Sequence, residues 1–236
     1  MKILEKIYEG KAKQIYKTEN DDYVVIKYKD DATAFNGKKK ATLKGKGVIN
    51  NKITNYFMKI LQENNIPTHF VEEISDTEIL AKNVKIVPLE VIVRNVAAGS
   101  FSKRYGVKEG LELSKPCLEF CLKDDSLGDP FINSSQILAL NLAKKEDIEI
   151  IKTYSFKINA ILIECLANIN IKLIDFKLEF GKTKEGTIIL ADEISPDTCR
   201  FWDVNTNEKL DKDRFRQEMA NQMYGYEEIY KRLIKN

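Results

Sequence analysis

Residues 173–181 read LIDFKLEFG, and they limit the fold more tightly than any other stretch of the chain. With the two-residue period of a β-strand, Ile174, Phe176, Leu178 and Phe180 point one way, and Asp175, Lys177 and Glu179 point the other. The hydrocarbon face demands a core. The opposite face lines up carboxylate, ammonium and carboxylate, which in an antiparallel sheet covered on one side is ordinarily a solvated surface. The next segment argues otherwise. "GKTKEG" is a turn-rich connector, so "GTIILADEIS" is expected to fold back as the partner strand of a hairpin and to bring Asp192 and Glu193 beside the first row. "SPDTCRFWD" then offers Ser195, Asp197, Thr198 and Arg200 from a Pro-containing loop. Carboxylates that face each other are costly without a cation between them, and hard oxygen donors of this kind suit Mg²⁺ carried by a nucleotide. Lys177 offsets part of the repulsion and can also meet an anionic substrate.

The rest of the chain supplies the frame for such a sheet. "KILEKIYEG", "AKQIYKTE" and "YVVIKYKD" alternate like strands of an antiparallel meander, and a polar, Lys- and Gly-rich segment spans 32–47. Apolar spacing through Ile49, Ile53, Phe57, Ile60 and Leu61 predicts a helix that ends before Pro67. Strands continue through "HFVEEISDTEILAKNVKIVPLEVIVRNVAAGS", and Ile148, Ile151, Tyr154, Ile158, Ile161 and Leu162 predict a long helix packed on the sheet. A C-terminal helix with a break near Gly225 closes the chain. The expected class is α+β, with an N-terminal antiparallel β-rich lobe over 1–84, a larger mixed lobe over 85–236 and the active site in the cleft between them.

Composition narrows the function classes. The 236 residues are 43% hydrophobic and 31% charged with a net charge of +2, enough for one large core or two smaller ones. The near balance of charge, with one short lysine-rich run, argues against nucleic acid as a partner. There is no apolar run of the roughly 18 residues that a membrane span needs, and the first residues hold no apolar leader core, so no membrane association is expected. Four cysteines without a CxxC pair read as reduced thiols of a cytoplasmic protein. Cys117, Cys121 and the single His69 make a poor zinc set, and His69 reads as structural.

Two further motifs offer groups for anions. In "YEGKAKQIY", Gly10 allows close backbone approach, and Lys11 and Lys13 can face polyphosphate, although the Walker pattern is missing and a solvated hairpin is the plainer reading. In "VIVRNVAAGSFSKRYG", Arg94 ends a strand and is followed by small residues and Ser100, a set that suits phosphate or carboxylate; a helix capped by Ser100 is the equal alternative. Lys27 in "VVIK" resembles a kinase strand lysine, but no catalytic-loop motif follows, and it reads as an exposed strand residue.

"YEGKAK", "VIVRNVAAGS", "LIDFKLEFG", "LADEISPDTCRFWD" and "DKDRFR" stand in the order and approximate spacing of the SAICAR synthetases, and the chain resembles that family along essentially its whole length. The resemblance implies an ATP-dependent ligase that joins L-aspartate to the carboxylate of carboxyaminoimidazole ribonucleotide (CAIR), giving SAICAR, ADP and phosphate through an acyl phosphate in purine biosynthesis. It implies Mg²⁺ as cofactor and a homodimer. Gly10, Lys11, Ala12 and Lys13 would cradle the ATP phosphates, with Lys82 to Val84 meeting adenine through the backbone. Arg94, Ser100 and Arg200 would hold the ribonucleotide phosphate, and Glu179 and Asp192 the metal. Asp175 and Lys177 would lie beside the imidazole and its carboxylate, and Asp129 and Asp197 near the aspartate substrate. Arg216 would help bind substrate, although a helix start explains its segment equally well. Asn36 departs from family members that carry Asp there, so no ligand role passes to 32–47; a flap over ATP is the expectation for that segment. A kinase-like phosphotransferase and a nucleotide-binding module without catalysis are the rival classes. The first lacks a catalytic-loop Asp pattern, and the second fits poorly with the retained charged row.

Overall fold

The computed structural model describes residues 2–34, 37 and 39–234; Asn36, the departure from the family pattern, lies outside them. The chain opens with the expected meander, β1 (Ile3–Glu9), β2 (Lys13–Thr18) and β3 (Tyr23–Tyr28). The polar segment after it is more ordered than its composition suggests. β4 (Asp31–Ala34) and β5 (Lys39–Thr42) form a separate two-stranded ribbon, and Ala32 and Ala34 pack on Phe215. Helix α1 (Lys46–Glu63) buries Ile49, Ile53, Phe57, Met58 and Leu61 along one side. β6 (Phe70–Ser75) and β7 (Glu78–Lys82) then complete a five-stranded antiparallel sheet in the order β1-β2-β3-β7-β6.

The second sheet begins with β8 (Lys85–Val96) and the short helix α2 (Gly99–Tyr105). β9 (Glu112–Leu122), β10 (Phe131–Ile132), α3 (Ser134–Ala139) and α4 (Lys145–Ala167) follow. β11 (Ile171–Lys182) carries the opening motif, with β12 (Ile188–Ala191) as its hairpin partner, as expected. The sheet runs β10-β9-β8-β11-β12, and β13 (Cys199–Asp203) pairs with the first half of β11. Arg200 therefore sits on a strand, not in the loop expected from the Pro-containing sequence. Thr68 bridges Leu190, and the His69 N–H donates to the Leu190 carbonyl at 2.8 Å, so backbone hydrogen bonding joins the two sheets beside Asp192.

The two faces of β11 turn out to be covered on both sides. Phe176, Leu178 and Phe180 enter the main core, against which α4 lays Ile148, Ile151, Ile158 and Leu162. The expected alternation breaks at its start. A bulge between Leu173 and Asp175 in the pairing with β13 puts Leu173 into this core, while Ile174 joins Val96, Ala98 and Trp202 in a small separate cluster. The charged face is not a wet surface, since Asp175 is only 3% exposed and Glu179 5%.

The C-terminal segment is broken near Gly225 as expected, with the glycine on the far side of the break. It divides into α5 (Asp213–Arg216) and α6 (Tyr224–Ile234), so the break precedes Gly225, which lies in the first turn of α6. Gly225 is required there by contact: a Cβ would lie 2.6 Å from the backbone carbon of Leu210. Gly225→Ala is expected to destabilise the fold by roughly 1–3 kcal/mol through overpacking. Urea denaturation checks this, and an unchanged midpoint would show that α6 slides freely on that segment.

Candidate active site: a charged cleft against the second sheet

Asp175 organises the site because β11 lies between β8 and β13, whose registers set Arg94 and Arg200 on either side of it. Arg94 donates from Nη1 to Asp175 Oδ2 at 2.6 Å and from Nε to Glu119 at 2.6 Å. Arg200 places Nη1 3.0 and 2.9 Å from the two Asp175 oxygens and Nε 2.8 Å from Asp213. Burial works against the Arg200 charge, but Asp175 and Asp213 hold its pKa well above the usual value. Gly99 makes room for this guanidinium. Its φ is +54°, and a Cβ there would lie 2.5 Å from Arg200 Nη2. Ser100 does not cap α2, whose N-cap is Ala98; its Oγ instead accepts from Arg94 Nη2 at 3.3 Å.

Further along β11, Lys177 gathers three carboxylates. Its Nζ lies 2.5 Å from Glu179, 2.9 Å from Asp192 and 3.6 Å from Glu90. Glu179 also accepts from Lys123 at 2.9 Å. Lys13 of β2 bonds Asp192 and lies 2.9 Å from Glu193, so the first sheet reaches the charged row of the second through one ammonium. Burial opposes the charges of Lys177 and Lys13, yet the neighbouring carboxylates raise both pKa values; burial likewise opposes the Asp192 carboxylate, which Lys13 and Lys177 hold well below the ordinary range. Asp192 has φ +59°, a left-handed conformation that costs energy in a non-glycine residue and turns the chain out of β12.

A cavity of about 340 Å³ opens over this floor. Arg94, Ser100, Asp175, Lys177, Asp197, Arg200 and Arg216 line it together with Lys11, and so do Glu90, Ile92 and Lys212. Thr33 and Ala34 bring the β4–β5 ribbon to its rim. Lys11 pairs with Asp125 at 2.6 Å. Gly10 and Ala12 belong to the same β1–β2 turn, Gly10 N–H donating to the Lys13 carbonyl at 2.8 Å and Ala12 accepting from Lys29 at 2.8 Å. Lys82 ends β7 and Val84 leads into β8, with the Val84 side chain close against Gly181. Asp197 lines the cavity, but its carboxylate is already engaged by Lys46 at 2.6 Å, Asn50 at 3.1 Å and the Tyr226 hydroxyl at 2.7 Å. Asp129, with φ +50°, accepts the Asp124 N–H at 2.9 Å. Arg216 donates to Asp213 at 2.6 Å from the end of α5, so the helix-start reading of its segment and a place on the cavity wall both hold.

Several residues of this site escaped sequence reasoning. Lys46 is wholly buried, yet "KGKGVINN" gives no sign that one of its lysines is paired inside. Glu90 carried a usable signal, because it shares the β-period of Arg94 and so the same face of β8. Lys27, expected to be exposed, is half-buried on β3 and pairs with Glu78 at 3.2 Å.

This fold, with a cavity over a row of paired carboxylates and cations, matches that of a class of ATP-using ligases. The SAICAR synthetase family model matches residues 6–233. A phosphoribosylaminoimidazole-succinocarboxamide synthase of Lachnoclostridium phytofermentans is 58% identical over 233 residues, which cover 99% of each chain. The crystal structure of the corresponding Ehrlichia chaffeensis enzyme superposes with a TM-score of 0.95 at 47% identity, covering 97% of this chain and 98% of that one. A SAICAR synthetase solved in complex with ADP superposes at 0.94 with 45% identity, covering 100% of this chain and 98% of the other. The chain belongs to the SAICAR synthetase family, and it is a ligase of purine biosynthesis.

His69 gives the site a measurable signature in stability. It is buried, and burial together with the nearby Lys13 charge lowers its pKa to about 4. The folded state therefore holds a neutral imidazole that the unfolded chain protonates near pH 6.5. Its contribution is present above pH 6.5 and is lost as pH falls through about 4, amounting to about 3 kcal/mol over that window. Urea unfolding from pH 7.5 to 4 is expected to show a shallower pH dependence for His69→Gln than for the parent chain; equal slopes would mean that the imidazole stays solvated.

Proposed function

We propose that this cleft performs the ligation in the following way, with the Arg94–Asp175–Arg200 ladder beside the Lys177 row as the observation that carries the reading. CAIR binds with its phosphate at Arg94, Ser100 and Arg200, and Arg216 adds charge at the same end. Its carboxylate meets the Lys177 ammonium. ATP lies across the Gly10–Lys13 turn, with Lys11 and Lys13 toward its phosphates and the backbone of Lys82 to Val84 beside adenine. The ADP complex of a family member supports this use of nucleotide.

Glu179 and Asp192 are the residues that would hold Mg²⁺. They fit it, because both offer hard oxygens and both reach one point, the Lys177 Nζ, at 2.5 and 2.9 Å. Among the described residues no group of three or more His, Cys, Asp or Glu is disposed to hold a metal, so phosphate oxygens and water would complete the shell. When bound, the ion would neutralise charge on the transferring phosphoryl group.

A carboxylate is a poor electrophile. A CAIR carboxylate oxygen therefore attacks the γ-phosphorus, the bond to the ADP oxygen breaks, and an acyl phosphate forms. The aspartate amine then attacks the acyl carbon, phosphate leaves with the C–O bonding pair, and the nitrogen loses a proton. Lys13 and Lys177 hold the anionic groups together through these steps, which makes catalysis a matter of positioning and charge neutralisation. Asp197 and Asp129 are the residues that this reading assigns to L-aspartate. Asp197 acts there by fixing its loop, since its own oxygens are engaged.

The same reading takes residues 1–84 as the ATP lobe and 85–236 as the lobe for ribonucleotide, metal and aspartate, in a cytoplasmic homodimer. No helix among the described residues is long and apolar enough to cross a membrane. The activity test is formation of SAICAR from CAIR, L-aspartate and MgATP; ADP binding without product would favour a non-catalytic nucleotide module. Glu179→Gln and Asp192→Asn are each expected to lower kcat on the order of a hundredfold or more with the fold retained, and to lower Tm, because each leaves neighbouring ammonium groups with one carboxylate fewer. They are also expected to weaken Mg²⁺-dependent ADP binding by calorimetry. Full activity in either variant would remove that residue from the metal site.

A further inference from the structure

The carboxylates around the cleft are matched with donors, with one exception. Asp175 takes two guanidinium groups, Asp192 the ammonium groups of Lys13 and Lys177, and Glu179 those of Lys177 and Lys123. Asp197 is engaged by three side chains. Glu90 accepts no hydrogen bond among the described residues. Its nearest cation is Lys177 at 3.6 Å, beyond hydrogen-bond reach, and that ammonium already serves Glu179 and Asp192. The Glu90 side chain is nevertheless only 20% exposed and lines the cavity. A largely buried carboxylate without donors is costly, so such an acceptor marks the place where a ligand brings a donor.

The strand register says which donor. Glu90, Ile92 and Arg94 share one face of β8, directly opposite Glu179, Lys177 and Asp175 of β11. Arg94 and Glu90 are four residues apart, about 13 Å along the strand. With the phosphate at Arg94, that length takes a ribonucleotide across apolar Ile92 and brings its base to Lys177 and Glu90. CAIR carries a carboxylate and, on the adjacent ring carbon, an amino group. The carboxylate matches the ammonium of Lys177, and the amino group, a donor, matches the carboxylate of Glu90.

We propose that Glu90 accepts the hydrogen bond of the exocyclic amino group of the imidazole ribonucleotide and thereby selects the aminated base and fixes the ring edge that faces ATP. This rests on the ribonucleotide placement given under the proposed function. Glu90 is then a specificity-determining residue that touches substrate, and the reaction steps stay as written.

The test compares CAIR with its analogue lacking the amino group, as alternative substrates for the full-length enzyme, its Glu90→Gln variant and its Glu90→Leu variant. The parent enzyme is expected to prefer CAIR in kcat/KM by about ten- to a hundredfold, and Glu90→Leu to reduce that preference to about threefold or less, with KM for ATP unchanged. Glu90→Gln keeps one carbonyl acceptor and is expected to fall between the two, so the comparison stands even if the Leu variant folds poorly. An undiminished preference for CAIR in both variants overturns the assignment while leaving the ligase reading intact. A loss confined to KM for L-aspartate overturns it in favour of the aspartate ammonium. Absence of SAICAR formation by the parent enzyme overturns the ligase reading itself, and this inference with it.

Discussion

The pairing of Asp175 with Arg94 and Arg200 is the constraint on which the rest of the cleft depends. Arg94 is among the largest side chains of the protein that are fully buried, and its guanidinium lies between Asp175 and Glu119. A buried ion pair contributes little net stability, because desolvation offsets most of the Coulomb attraction, and removing one partner leaves a charge stranded. Its value here is geometric. With Asp175 fixed by the registers of β8 and β13, the two guanidinium groups are held together, and this end of the cavity is shaped by the fold itself. Gly99 and the β13 strand are consequences of the same arrangement, one making room for Arg200 and the other aiming it.

The electrostatic pattern along β11 follows from that anchor. Going from Asp175 to Glu179, the cross-strand partner on β8 changes from a cation, Arg94, to an apolar side chain, Ile92, to an anion, Glu90. Like charges directly opposite on adjacent strands repel, and the Glu90–Glu179 pair is tolerated because the Lys177 ammonium lies 3.6 Å from one and 2.5 Å from the other. Burial, with Glu179 and Asp129 close by and Lys177 acting against them, pushes the Glu90 carboxyl above its usual pKa. One end of the floor thus presents guanidinium groups and the other presents carboxylates. That polarity runs along a single strand pair only about 13 Å in length, which is short enough for one nucleotide to sample both ends.

How much of this was legible in the sequence depended on the range of the interaction. The β11–β12 hairpin, the long α4 and the first meander are local patterns, a turn or a period within some twenty residues, and the chain adopts them. The bulge at Leu173–Asp175 was not legible, because it arises in pairing with β13, a strand some 25 residues further on whose Pro-containing approach disguised it as loop. The break between α5 and α6 was legible near Gly225, but the part that glycine plays was not. Glycine was read as a helix breaker, whereas Gly225 is present because α6 approaches the backbone at Leu210 and Asp211. Short-range chemistry identifies an element; the exceptions to its pattern come from whatever packs against it.

The same division explains the site. Arg94, Asp175, Lys177 and Glu179 stood out because charge interrupts an otherwise apolar strand period, a contrast visible in one dimension. Lys46 did not stand out, since a lysine in a Gly- and Lys-rich turn looks solvated, and only the fold brings Asp197 to it from 151 residues away. Once buried, this ammonium makes Asp197 a structural anchor: the loop after β12, the start of α1 and Tyr226 of α6 all meet at one carboxylate. A carboxylate so fully engaged would have to give up one of those bonds to bind a substrate directly, at a cost of about 1–3 kcal/mol for the donor left unpaired. Saturation therefore separates the acidic residues of the cleft by role. Asp175, engaged by Arg94 and Arg200, and Asp197, engaged by Lys46, Asn50 and Tyr226, hold the walls in place, and Glu90 has no donor of its own among the described residues.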